Sequence, residues 1–223
     1  MATLQVLRVF TNDEGEWGNQ LGVFLDGADV PAGERQLVAA ELGFSETVFV
    51  DDPQRNELRI FTPALELPFA GHPLVGTAWL LEREGRGGLV LRPPAGEVKA
   101  DPGERSAWIA APPGWAPAFE YLELDSPAEV HELTRSPGGG WLYPWAWIDE
   151  DAGTIRARSF VPEAGIEEDE ATGSAALALC GRLGRPITVH QGHGSVINAQ
   201  PLEDGRVQIG GLVARDEVRE HPV

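Results

Sequence analysis

Cys180 is the only thiol in the chain, and a single cysteine excludes an intramolecular disulfide framework. Basic residues are scarce. Seventeen Lys and Arg stand against 35 Asp and Glu, for a net charge of −18. Nucleic acid and anionic membrane surfaces need basic patches, so neither is an expected partner. That balance does not exclude small anions, because an acidic exterior can surround a locally positive site. No apolar run approaches the length that spans a bilayer. Met1-Ala-Thr-Leu-Gln5 has no basic segment ahead of an apolar one, so no secretory leader is read there, and a soluble cytoplasmic protein is expected. No G-x-x-x-x-G-K-[ST] phosphate loop exists, and no G-x-G-x-x-G opens a helix after a strand. Ser45 and Ser174 lack an evident base and orienter, so no hydrolase triad is read. His190 and His193 have the spacing of a metal pair, but no nearby ligand completes a set, and no metal is expected.

What is present points to packed cores. The chain has 223 residues, 42% of them apolar, enough for one large domain or two small ones. From Ser174 to Cys180 there is no charge and no second polar residue. A surface helix shows one apolar stripe, whereas this run is apolar on every side and is expected to be buried all round. Glu168-Asp-Glu-Ala-Thr172 precedes it, with residue types that cap a helix and favour its positive end. A buried helix opening from a polar loop can hold an anion. Phe69-Ala-Gly-His-Pro-Leu-Val-Gly-Thr-Ala-Trp-Leu-Leu81 has the same design. Pro73 suits a first helical turn, and Gly85 suits the exit. The recurrence suggests two halves built alike.

Around these runs the chain reads as short strands. Leu4–Phe10, Leu21–Leu25, Phe44–Val50 and Glu57–Thr62 lead the first half, with a helix over Pro31–Leu42 whose Leu37, Val38 and Leu42 share a face. Gly88–Arg92 and Gly96–Ala100 read as a hairpin, and Ser106–Ala110 as another strand. Three prolines in Ala111–Pro117 mark a linker. Strand-like runs follow at Glu129–Leu133, Trp141–Tyr143, Ala146–Ile148 and Thr154–Val161, with a turn over Ser136–Gly140. Pro186–His190, Ser195–Ala199 and Arg206–Gly210 finish the second half. Strands wrapped around each apolar helix would explain its composition, with the two helix N-termini facing across a cleft. Glu46 stands at the head of a strand beside Phe44 and Phe49, where partial desolvation would raise its pKa toward a range useful for proton transfer, although position alone favours an ordinary solvated carboxylate in a turn.

Phe44-Ser-Glu-Thr-Val-Phe-Val50, Phe69-Ala-Gly-His-Pro73 with Gly76-Thr77-Ala78, Arg158-Ser-Phe-Val-Pro162 and Glu168-Asp-Glu-Ala-Thr-Gly-Ser-Ala175 together resemble the PhzF-like isomerase family of phenazine biosynthesis. Gly18-Asn19 and Gln191-Gly192 sit where that family has such pairs, so the resemblance runs along nearly the whole chain. It implies an α+β, diaminopimelate-epimerase-like fold: two similar domains, each a β-barrel around a central α-helix. The expected domains are 1–110, with its helix near 73–84, and 118–223, with its helix near 173–184. Epimerases of that fold use a cysteine at the start of each central helix. The corresponding positions here are Gly71 and Gly173, which disfavours two-thiol racemisation.

The resemblance gives the proton work to Glu46. It has His72 and Asp169 orient the substrate or assist. Ser174 and the backbone N–H groups of Gly71, His72, Gly173 and Ser174 would bind a substrate carboxylate or enolate, and Asn19 and Gln191 join the binding set. No cofactor is implied. A small carboxylate-bearing substrate is the expected partner, and a homodimer is a possible assembly. The chain departs from the family pattern in having Glu170 where proline is usual and no arginine after Gln191-Gly192. A non-catalytic homologue that keeps the cleft for a small carboxylate is the alternative reading.

Overall fold

The computed structural model describes residues 1–87, 90–133 and 140–222. Gly88 and Leu89 of the expected hairpin and most of the Ser136–Gly140 turn lie outside the described residues. The first half runs β1 (Ala2–Thr11), β2 (Asn19–Phe24), α1 (Arg35–Leu42), β3 (Glu46–Asp52), β4 (Glu57–Phe61), β5 (Glu66–Leu67), α2 (Gly71–Arg83), β6 (Val90–Leu91), β7 (Val98–Pro102) and β8 (Ser106–Ala111). The second runs β9 (Glu120–Glu123), α3 (Pro127–Glu132), β10 (Leu142–Asp149), β11 (Thr154–Ala157), α4 (Gly173–Leu183), β12 (Ile187–Gln191), β13 (Ser195–Pro201) and β14 (Val207–His221).

The strands join in one path, β5-β4-β3-β2-β1-β14-β13-β12-β11-β10-β9, and β6-β7-β8 branches off β14. β14 is the seam. Leu212 to His221 pair with β1, while Val207 to Gly210 pair with β13 and, on the other edge, with β8. The last strand therefore closes the first half as well as the second.

Two helices fill the interior, as their composition predicts. Every residue of α2 from Gly71 to Leu81 is buried. It packs on β1, β2, β3, β7, β8 and β14. Gly76 makes this approach possible, because a Cβ there would lie 2.6 Å from Leu21 Cδ2 and 2.7 Å from Val9 Cγ2. In α4, Gly173–Leu177, Leu179 and Cys180 are buried, so the lone thiol faces the core. Leu74, Leu80 and Leu177 are fully buried in one core with Leu7, Ile109 and Ile197. Burial of that kind is worth about 1.5–3 kcal/mol for each large side chain. No helix among the described residues is long and apolar enough to cross a membrane.

Several local expectations are corrected. α1 begins at Arg35 rather than Pro31, and Leu37 is 61% exposed, so it does not share the buried face of Val38. Glu129–Leu133 is not a strand. Ser126 Oγ accepts from Glu129 N at 3.3 Å and Pro127 occupies the first turn, so the segment is the short helix α3. The two runs split at Pro144 form one strand, β10. The Pro144 carbonyl still accepts from Arg158 N at 3.0 Å, which carries the ladder past a residue with no N–H.

Candidate active site

Parallel pairing assembles the site. β2 and β3 run side by side through the α1 crossover, with Leu21 opposite Glu46. That register brings Asn19, at the start of β2, next to Ser45 and Glu46, where β3 begins. Ser45 Oγ donates to Asn19 Oδ1 at 2.6 Å. Asn19 Nδ2 donates to Asp169 Oδ1 at 2.6 Å and to the Ala171 carbonyl at 3.1 Å. One buried amide thus ties the first half to the loop ahead of α4.

The N-termini of α2 and α4 touch. A Cβ on Gly71 would lie 2.6 Å from the Gly173 carbonyl carbon and 2.7 Å from Ser174 N. A Cβ on Gly173 would lie 3.1 Å from His72 N. Only glycine permits this approach at position 71. Neither Ala70 nor Thr172 caps its helix through a side-chain hydrogen bond. Two positive helix ends therefore converge with first-turn N–H donors that no side-chain cap covers.

Glu46 and His72 lie against these ends. Glu46 Oε2 is 3.2 Å from His72 Nε2. The angles do not make a hydrogen bond, and both atoms are buried with no hydrogen-bond partner among the described residues. Burial raises the Glu46 pKa well above 4.5, and the Asp169 carboxyl adds to the effect. Burial lowers the His72 pKa to about 3, against a smaller upward pull from a hydrogen bond with the Gln20 backbone. The imidazole is therefore neutral around pH 7. The two hydrogens of Asn19 Nδ2 already serve Asp169 and Ala171, although that nitrogen also sits 3.4 Å from His72 Nδ1.

Asp169 has the opposite environment. Burial raises its pKa, while hydrogen bonds from Thr172 and Asn19 oppose the rise. Thr172 Oγ1 donates to Asp169 Oδ2 at 2.6 Å. Gln191 closes the loop from behind. Its Nε2 donates to the Asp169 carbonyl at 2.8 Å and to Thr172 Oγ1 at 2.9 Å. Its Oε1 accepts from Thr172 N at 3.2 Å and from Tyr143 OH at 3.0 Å. Gln191 is fully buried, with both ends of its amide in use. In this structure its side chain supports the loop that carries Asp169.

Glu46, His72, Asp169, Asn19, Gly71, Gly173 and Ser174 thus form one buried cluster. Sequence reasoning gave no site role to Ser45, Thr172 or Tyr143. Ser45 could have been found from its place beside Glu46 at a strand start, and Thr172 from its place before α4. Tyr143 gave no signal. Among the described residues, no three His, Cys, Asp or Glu side chains group as a metal site.

The structure is thus a mixed sheet around two central helices whose N-termini touch, with a buried carboxyl beside their tips. The family model described as phenazine biosynthesis-like protein (PhzC-PhzF) matches residues 7–128. The trans-2,3-dihydro-3-hydroxyanthranilate isomerase of Pseudomonas fluorescens is 32% identical, over 83% of this chain and 79% of that protein. The enzyme of the same name from Pseudomonas aeruginosa is also 32% identical, over 85% of this chain and 82% of its own length. A solved structure from Pseudomonas aeruginosa, described as a predicted epimerase, superposes with a TM-score of 0.79 at 27% identity and covers both chains fully. The chain belongs to the PhzF-like isomerase family.

Proposed function

We propose that the chain is a cofactor-independent isomerase that shifts a proton within a small, unsaturated, carboxylate-bearing substrate, with Glu46 as the acid and base. One observation carries this reading: the buried contact of Glu46 Oε2 with His72 Nε2, in which neither atom has a hydrogen bond. Unpartnered buried polar atoms are costly, and a catalytic role is one reason to keep them; here the two face each other beside the tips of α2 and α4. A desolvated carboxylate is also a stronger base than an exposed one.

The Glu46 carboxylate takes a proton from a carbon next to the conjugated system. The C–H electrons enter that system, and negative charge develops on a substrate oxygen. The N–H groups of Gly71, His72, Gly173 and Ser174 stabilise this charge. Glu46 then returns the proton to a different carbon as the double bond moves. Atoms and electrons balance without an electron carrier. Neutral His72 and the hydrogen-bonded Asp169 hold the substrate in register.

The first compound to test is the one named for the Pseudomonas relatives, trans-2,3-dihydro-3-hydroxyanthranilate, followed by a panel of unsaturated cyclic acids. In deuterium oxide the wild type is expected to incorporate deuterium at the reacting carbon. Glu46→Gln should still bind the compound and lose about 10²- to 10⁴-fold in exchange rate. Equal exchange in wild type and variant would remove Glu46 as the base.

A further inference from the structure

A second cluster spans the two halves of the chain outside the catalytic groups. Glu170, next to Asp169 in the loop ahead of α4, accepts at Oε1 from His193 N at 2.9 Å and from Ser195 Oγ at 2.9 Å. Its Oε2 lies 2.8 Å from His193 Nδ1. On its other side the His193 ring stacks on Trp17, with centroids 5.5 Å apart and planes 15° from parallel. Ser195 Oγ also accepts from Gly18 N at 3.0 Å. Trp17 sits close over the 192–194 turn, since a Cβ on Gly194 would lie 2.4 Å from Trp17 Cδ1. Trp17 itself has φ +61, a left-handed conformation that a bulky residue holds only where its surroundings enforce it.

The position of this stack matters. Trp17, Gly18, Asn19, Ser45 and Glu170 line one cavity of about 360 Å³ that borders the catalytic cluster. Glu46, His72 and Asp169 themselves are only 8%, 2% and 4% exposed, so a substrate reaches them only when something around them moves. The contacts here are a ring stack and two exposed links from His193, on a side chain that is 75% exposed, to Glu170, with the Ser195 links buried beneath them. Such contacts open far more readily than the paired strands and filled core beneath them.

We infer that Trp17, His193, Ser195 and Glu170 form a clasp across the mouth of the cleft, and that its release admits substrate to Glu46. Through Glu170, opening the clasp also loosens the loop that carries Asp169. The inference rests on the reading that the buried cluster is the active site. Its test needs no substrate, so it can fail or succeed independently of the Glu46 exchange experiment.

The test is amide hydrogen exchange in deuterium oxide on the full chain. Trp17→Ala and His193→Ala should each speed exchange at Gly18, Asn19, Ala171 and Thr172 by about threefold to tenfold, the scale of one lost ring stack. Exchange at Leu80 and Leu81 inside α2 should stay at the wild-type rate. Trp17→Phe, which keeps a ring for the stack, should restore most of the protection. Unchanged exchange at the four mouth amides would overturn the clasp. So would an equal rise at the mouth and inside α2, because that reports a general loss of stability.

Discussion

Two buried polar regions lie side by side at the helix tips, and they differ in how well their atoms are partnered. Around Asp169, both ends of the Asn19 and Gln191 amides are in use, and Thr172 and Ser45 supply further bonds. Around Glu46, the carboxyl oxygen and the imidazole nitrogen that face each other have no hydrogen bond. The saturated region fixes geometry. The unsaturated one holds the two polar atoms that the proposed reaction would use. Both lie beside the touching helix tips, and this contrast separates the group proposed to react from the groups proposed to hold it.

The contrast can be broken most severely from the saturated side. Gln191→Leu leaves Thr172 N and Tyr143 OH without their buried acceptor and frees the Asp169 carbonyl. Each orphaned group costs about 1–3 kcal/mol, so a loss of roughly 3 kcal/mol in urea denaturation is expected. The turnover of whichever substrate is found should fall with it, because the Asp169 loop loses its support. A stability loss below about 0.5 kcal/mol would show that this network is not saturated in solution.

A smaller effect, with a sign of its own, is expected from the unsaturated side. The folded pKa of Glu46 is raised above its ordinary value. Between that value and the folded one the native state binds the extra proton, so stability falls as pH rises through this window. Glu46→Gln removes the penalty, and its denaturation midpoint should gain on wild type as the pH is raised. His72 has the opposite sign. Its pKa falls from 6.5 to about 3, so its contribution is present above 6.5 and is lost as the pH falls toward 3. His72→Gln should therefore flatten the acid limb of the stability profile. Parallel pH profiles for wild type and either variant would mean that the pair is solvated.

The mildest cut is Tyr143→Phe, which removes one donor from Gln191 Oε1 while Thr172 N keeps that oxygen bonded. A loss of about 1 kcal/mol is expected in the same denaturation assay.

Much of this arrangement was legible in the sequence. The central helices announced themselves through runs apolar on every side, and the Asp169 loop through its acidic and hydroxyl residues, although Thr172 bonds Asp169 instead of capping α4. Glu46 was singled out by the family motif around it, since its place at a strand head fits a solvated carboxylate as well. Other features depend on long-range pairing. Asn19 becomes a hub only because β2 lies parallel to β3 and faces a residue 150 positions away. Tyr143 and Gln191 meet across 48 positions of chain, and no local pattern encodes that meeting. The missed helix α3 is a different failure. Ser126, Pro127 and Glu129 form an N-terminal capping signal that the β-like run after them obscured. The strand through Pro144 read as two runs, whereas the ladder continues past it through its carbonyl.

Whether Glu46 is desolvated in solution can be measured directly by titrating its side-chain carboxyl through the carbon-13 shift of selectively labelled protein. Glu46→Gln serves to assign the signal. A midpoint well above 4.5 is the expected result. A midpoint at or below 4.5 would mean that Glu46 is an ordinary solvated carboxylate, and its role as proton carrier would lose its physical basis.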